Sequence, residues 1–328
     1  MTLPADLRLL KKSFVRHLRA ENKAEGTIEV YCLAIDQFGE YLDALGPEPV
    51  LDHDGDLVAP AGPARIEELT KDHILGWIDH LQHRKITFVH KPPRLLSEST
   101  VSQRYRSLRA WVTWLVEEGE LDRDPMARID PPAVAEIPVP VLSVDQERAL
   151  LGTCGKGRNR AFVDVRDEAL LRLFMDSGPR RKEVIGLALG DVDLDFNVAL
   201  VTGKGNRDRS LPFGANSARA LDRYLRARSR HRLAALDALW LAAKGPLTAG
   251  GAYQMVRRRG SMIGIEGLHP HQFRHTFSHQ WLANGGSETD LMRLNGWTSR
   301  SMLSRYGASA ADERARAAHH SLNLGDRL

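Results

Sequence analysis

At 328 residues with 42% apolar side chains, the chain is longer than most single domains and has material for one sizeable core and one smaller one. Its 46 lysines and arginines stand against 42 acids and 13 histidines, for a net charge of +4 and a sequence pI near 9.1, which permits a nucleic-acid partner without requiring one. Two distant cysteines, Cys32 and Cys154, outside any CxxC pair, argue against a disulfide framework and a thiolate metal site; with no apolar run long enough to span a bilayer, a soluble, cytoplasmic protein is expected.

Apolar residues at three- and four-residue spacing predict helices in "LLKKSFVRHLRAE" (9–21), "TIEVYCLAIDQFGEYLDAL" (27–45), "KDHILGWIDHLQH" (71–83) and "TVSQRYRSLRAWVTWLVEE" (100–118). In the last of these, Val101, Tyr105, Leu108, Trp111, Val112 and Leu115 form one stripe, Thr100 and Gln103 suggest a capping box, and Gly119 a stop. Its other face shows Arg104, Arg106 and Arg109, either a solvated surface or a phosphate-contacting one. The segments 46–65 and 84–97 are expected to be loops, the second with a short strand pair.

Five prolines between 121 and 142 mark an extended connector. The expected division is a helical domain over 1–130, a proline-rich linker over 131–141 and a second domain over 142–328. Beyond the linker, Ser143 and Gln146 suggest a capping box, "DEALLRLFMDSG" a helix stopped by Gly178, and "RKEVIGLAL" (181–189) a second helix with Pro179 near its start. "VALVTG" and "RSLPF" are β-prone runs around "KGN", a hairpin signal. The remainder is expected to be helical, ending in a short basic helix within 309–328. The fold class is mainly α with a small β-sheet (α+β).

The stretch "HPHQFRHTFSHQW" (269–281) places His271, His275 and His279 along one helical face with Arg274 close to it, which poses a choice between a metal site and a phosphate site. A straight helix separates His271 from His279 by about 12 Å at 1.5 Å per residue, too far for one tetrahedral ion. A guanidinium beside a cation is repelled, whereas beside an oxyanion it is the preferred partner. Asp191, Asp193 and Asp195 in "DVDLD" suit a turn and strand edge better than a metal, and no HExxH, phosphate-binding loop, GxSxG or GxGxxG occurs. No metal and no cofactor is expected.

What remains is a set of cations and one phenol: Arg180 with Glu183 in "SGPRRKE", Lys204 in "GKG", His271 and Arg274 in "HQFRH", Trp297 in "GW", and Tyr306 nine residues later. Taken singly, each passes for an ordinary surface or core residue. Together, in this order, they resemble the tyrosine recombinase (phage-type integrase) family, whose pattern runs TGxRxxE, GKG in a hairpin, HxLRH, GH or GW, then Tyr. The resemblance covers nearly the whole chain, and "GTIEVYCLAIDQFGEYL" is similar to the family's helical core-binding domain.

The resemblance implies a site-specific DNA recombinase of the Xer or mobile-element kind, without a separate arm-site domain. It would act as a homotetramer or related heterotetramer on double-stranded DNA and cut through a 3′-phosphotyrosine at Tyr306, with no metal or ATP. Arg180 and Arg274 would meet charge on the phosphate, Lys204 would protonate the leaving 5′-oxygen, and His271 would assist the phosphate or the tyrosine proton. His275 and His279 would be packing residues. Trp297 stands where many members carry His; it can donate one hydrogen bond but cannot shuttle a proton. A catalytically idle DNA-binding accessory and a type IB topoisomerase are the alternatives, and the helical N-terminal half favours the recombinase.

Overall fold

The computed structural model describes residues 5–54, 56–88, 91–135, 139–157, 160–203, 207–300, 302–303, 315–316 and 319–320, in two units, Met1–Glu136 and Ile137–Leu328. In the first unit the apolar stripes pack into one cluster. Helices α1 (Ala5–Ala20) and α2 (Glu25–Ala44) precede a two-stranded antiparallel ladder of β1 (Val50–Leu51) and β2 (Leu57–Ala59). Helix α3 (Lys71–His83), the pair β3 (Lys85–Phe88) and β4 (Lys91–Leu95), and α4 (Glu98–Glu117) complete it. Phe38 meets Trp77 edge-on at 5.3 Å, and the expected α4 stripe of Val101, Tyr105, Leu108, Trp111, Val112 and Leu115 is buried.

Two expectations for this unit are corrected. The N-cap of α4 is Ser97, whose hydroxyl accepts from the Thr100 amide, so the cap lies three residues before Thr100; the Glu98, Ser99 and Thr100 amides belong to the first turn and need that acceptor. The 46–65 segment is not wholly loop. Asp52 Oδ1 accepts from the Asp54 and Asp56 amides, each at 2.9 Å, and this turn brings β1 and β2 together. Gly119 ends α4 at φ +76° as expected.

The second unit is built around α6 (Phe162–Ser177), which is buried along most of its length and packs against α5 (Val144–Gly152), α8 (Ala215–Arg228) and α10 (Pro270–Ala283). Ser143 and Gln146 form the reciprocal capping box of α5. Gly178 closes α6 at φ +54°, and an added Cβ there would lie 2.7 Å from Phe277 Cδ1. After it, α7 spans only Arg181–Ile185, shorter than the 181–189 helix expected: Gly186 is its C-cap, and Leu189 instead donates its amide to Asp237 O. Asp191 and Val192 then lead into β5 (Val192–Asp193), β6 (Val198–Gly203) and β7 (Arg207–Pro212), an antiparallel sheet of order β5-β6-β7. Asp193 Oδ1 accepts from the Asp195 and Phe196 amides, so "DVDLD" is turn and strand-edge chemistry.

Helices α9 (Ala249–Ser261) and α11 (Glu288–Asn295) complete the unit. A buried acid binds it internally: Asp167, wholly buried, accepts from Arg166, Arg258 and Arg259, and Arg259 also reaches Asp164 and Thr153 O. The fold is mostly helical with small antiparallel sheets. Among the described residues no helix is long and apolar enough to cross a membrane. The expected basic helix within 309–328 lies mostly outside the described residues.

Candidate active site

The site is assembled at helix ends, because these carry carbonyls and amides with no partner inside the helix. Arg180 is the N-cap of α7 in extended conformation (φ −70°, ψ 142°), and Glu183, three residues on, returns its carboxylate to the Arg180 amide at 2.8 Å. The same carboxylate accepts from Arg180 Nη1 at 2.7 Å. A capping box thereby doubles as the device that orients a guanidinium.

Arg274 lies in α10, where Pro270 occupies the first turn and His269 caps the Gln272 amide. It is 1% exposed, and its guanidinium donates to Gly178 O at 3.0 Å and Asn295 O at 2.5 Å. Arg180 Nη2 reaches Gly296 O at 3.4 Å. Asn295 and Gly296 are consecutive at the end of α11, so the two guanidiniums converge on adjacent carbonyls, whose Cα atoms a trans peptide holds ~3.8 Å apart. Trp297 follows directly, and the Arg274 guanidinium carbon lies 5.3 Å from the centre of its ring. Both glycines are in the left-handed region, Gly178 at φ +54° and Gly296 at φ +59°, which frees their carbonyls to turn toward the arginines.

An open cleft of about 1430 Å³ adjoins this point, lined among others by Arg180, Arg209, Trp281, Arg293, Trp297 and Met302. Arg180 is 36% exposed at its side chain and so presents donors to the cleft, while Arg274 is held beside Trp297 out of solvent. Burial pushes the Glu183 carboxyl up, but Arg209 and the Arg180 hydrogen bonds outweigh it and hold the group below the usual carboxylate range. It is therefore an anion between two cations at neutral pH.

Of the residues named from the sequence, Arg180, Glu183, Arg274 and Trp297 come together here. His271 is exposed in the first turn of α10, and its ring meets that of the buried His275 edge-on at 5.0 Å. Lys204, between β6 and β7 in sequence, and Tyr306 lie outside the described residues. Arg104, Arg106 and Arg109 are on α4 in the first unit and are not equivalent. Arg104 donates to Gln37, Arg109 to Tyr105 Oη at 2.8 Å and to the carbonyls of Met126 and Ile129, whereas Arg106 is exposed and donates to Ser102 O in its own helix.

Sequence reasoning missed Arg209, Asn295 and Gly296. Arg209 Nη2 donates to Glu183 Oε2 at 2.7 Å and Nη1 to Leu294 O. The signal was strand alternation: Arg209 shares a face with Leu211, which is 1% exposed, so a charged side chain had to be carried inward.

A guanidinium on the cleft wall and a second, buried one beside an indole, both fixed on helix-end carbonyls, are donor chemistry suited to an oxyanion. Residues 140–313 match the family described as "Phage integrase family", and residues 10–119 match "Phage integrase, N-terminal SAM-like domain". The chain is similar to tyrosine recombinase XerC of Roseiflexus castenholzii, 30% identical over 302 residues, covering 90% of this chain and 87% of that one. It is also similar to tyrosine recombinase XerD of Corynebacterium glutamicum, 29% identical over 93% of this chain and 95% of that one. The fold is shared with the Tn1549 transposon integrase in complex with transposon right-end DNA (TM-score 0.69, 19% identity, 98% of this chain and 99% of that one). It is shared also with XerH site-specific recombinase bound to its difH substrate after cleavage (TM-score 0.68, 17% identity, 89% and 79%). The chain belongs to the phage integrase family and is a tyrosine recombinase.

Proposed function

We propose that the protein is a site-specific recombinase that cuts and rejoins duplex DNA through a covalent 3′-phosphotyrosine at Tyr306. The observation that carries this reading is the convergence of Arg180 and Arg274 on the consecutive carbonyls of Asn295 and Gly296, directly before Trp297, from which Tyr306 follows nine residues on in sequence. Transesterification at a phosphodiester builds charge on the nonbridging oxygens, and donors already fixed in place stabilise it without reorganising.

In the forward step the Tyr306 oxygen bonds to phosphorus as the bond from phosphorus to the 5′-oxygen breaks. Lys204 gives a proton to that oxygen, and the phenol proton passes to His271, or to solvent where His271 instead donates to the phosphate. Arg180 donates from the cleft wall. Arg274 supplies positive charge from beside Trp297. The phosphotyrosine bond keeps the energy of the broken phosphodiester, so a 5′-hydroxyl from another strand reverses the step and rejoins DNA. No cofactor enters this scheme. Arg106, exposed on α4, contributes a phosphate contact from the N-terminal unit, with Arg104 and Arg109 supporting that helix. The working assembly is a tetramer, of this chain or with a related recombinase, on two DNA sites in the cytoplasm.

The test uses nicked duplexes with randomised cores, incubated with the protein and resolved on a denaturing gel. The expected product is a protein–DNA adduct that disappears in Tyr306→Phe. DNA shifted in a native gel with no adduct on any duplex, whether the chain is supplied alone or with a related recombinase, would refute strand transfer and leave an accessory role.

A further inference from the structure

We propose that Arg209 is a positioning residue of the strand-transfer site, setting where the Arg180 guanidinium points by holding Glu183 and the end of α11 at the same time. The inference rests on the strand-transfer reading above. Arg209 is on β7, 11% exposed at its side chain, and lines the same cleft as Arg180 and Trp297.

One arm of its fork acts on Glu183. The carboxylate divides its oxygens: Oε1 accepts from Arg180 Nη1 at 2.7 Å, while Oε2 accepts from Arg209 Nη2 at 2.7 Å and from the Arg180 amide at 2.8 Å. With Arg209 in place, Arg180 reaches Glu183 through one nitrogen and keeps the other for Gly296 and the cleft. Without it, Oε2 becomes open to the second Arg180 nitrogen, and a two-point guanidinium–carboxylate pair draws Arg180 off the cleft.

The other arm acts on α11. Arg209 Nη1 donates to Leu294 O, Arg274 to Asn295 O and Arg180 to Gly296 O, so three guanidiniums occupy three successive carbonyls at one helix C-terminus. Those carbonyls lack partners within the helix and carry its negative end, which favours cations there. Arg209 and Arg180 both crowd Gly296: an ideal Cβ would lie 3.3 Å from Arg209 Cδ and 3.7 Å from Arg180 Nη1. Since β7 follows Lys204 in sequence and Arg209 pairs with Val201 within the β6–β7 ladder, Arg209 ties that strand to the helix end on which the other two arginines also rest. A lysine cannot serve both arms, because a single ammonium lacks the planar fork.

The experiment measures single-turnover adduct formation on the nicked randomised duplexes, across pH, for the wild type, Arg209→Gln, Arg209→Lys and Arg209→Gln/Glu183→Gln, with duplex binding and thermal melting alongside. Arg209→Gln is expected to slow adduct formation about 100-fold, as displacement of a reacting group does, with duplex affinity within about threefold. Against burial, the Arg209 charge is the largest of the influences that hold the Glu183 carboxyl down, so its loss, offset only in part by the Arg180 hydrogen bonds that remain, moves the acid limb of the rate profile to higher pH. Arg209→Lys keeps a cation beside Glu183: its acid limb stays at the wild-type position while its rate falls about 10-fold. The double variant, lacking the carboxylate that captures Arg180, is expected to be faster than Arg209→Gln alone.

A wild-type rate and pH profile in Arg209→Gln would overturn the inference while leaving strand transfer intact. Full recovery of rate in Arg209→Lys would overturn the two-armed role. If Arg209→Gln melts before it can be assayed, the lysine variant decides, since a purely structural arginine predicts no split between its rate and its pH profile. Failure of the wild type to form any adduct, alone or with a related recombinase, overturns strand transfer itself and the inference with it.

Discussion

Replacing Gly178 by alanine tests whether the end of α6 is a part of the site or only its neighbour. The residue is at φ +54°, where an L-residue costs about 1–2 kcal/mol relative to glycine, offset by about 0.4–1 kcal/mol because alanine restricts the unfolded chain. The new Cβ would lie 2.7 Å from Phe277 Cδ1 and 3.1 Å from Phe277 Cβ. The ring can turn, but Phe277 Cβ is fixed to the backbone of α10, so relief requires the helices to part, at about 1–3 kcal/mol. The expected cost is therefore about 1–4.6 kcal/mol, and it exceeds that of Gly285→Ala, about 0–1.6 kcal/mol at φ +78° with nothing within 4 Å of its Cβ, by the packing part, about 1–3 kcal/mol. Urea unfolding of the C-terminal unit in the full chain measures both. Because Gly178 O accepts from Arg274, the same variant is expected to slow adduct formation about 100-fold, whereas Gly285→Ala keeps the wild-type rate. Equal destabilisation by the two alanines would refute the packing argument, and a wild-type rate in folded Gly178→Ala would refute the part assigned to the carbonyl.

Glu183 predicts a pH dependence. Its carboxyl is held below its ordinary value in the folded chain, so its contribution is present above the unfolded value and is lost as pH falls through the lower folded one. Glu183→Gln should flatten the acid side of the stability curve relative to wild type; unchanged acid steepness in unfolding titrations would contradict this. Arg109→Met is expected to cost about 1.5–3 kcal/mol, because it removes a charged donor shared by Tyr105 Oη and the Met126 and Ile129 carbonyls, which keep only the Tyr105 hydroxyl bond to Ile129 O and the Ile129 amide bond to Met126 O, and to leave the salt dependence of DNA binding unchanged. Arg106→Ala, at an exposed position, is expected to melt like wild type while lowering the slope of log affinity against log salt by about 1; the reverse pattern would exchange the two roles. Ser97→Ala should cost about 1 kcal/mol in the N-terminal unit and Gln103→Ala close to none, with equal melting temperatures counting against the observed cap.

The sequence by itself determined what depends on near neighbours and on residue type. Helical stripes fixed α1 to α4, the Ser143 capping box and the glycine stop at Gly178 were legible locally, and the hairpin of β6 and β7 followed from two β-prone runs around a glycine-rich turn. Arg180, Glu183, Arg274 and Trp297, which the structure brings together, were singled out because their order along the chain resembles a family pattern, and Arg180 with Glu183 also because three-residue spacing lets them meet. Local signals failed where two reasonable caps competed, as at Ser97 and Thr100, and where Gly186 ended α7 before the apolar run did.

Only the tertiary structure decided which surface arginines were surface arginines. Periodicity put Arg104, Arg106 and Arg109 on one face, yet two of them bond to groups distant in sequence. It likewise decided that Arg209 belongs to the site. That role depends on Leu294 O, 85 residues away along the chain, and on a carboxylate 26 residues away, and neither separation leaves a periodic trace. A helix end always carries unpaired carbonyls, but which side chain fills them is settled by packing, and here the packing of β7, α7 and α10 against one end of α11 gathers three arginines on three adjacent carbonyls.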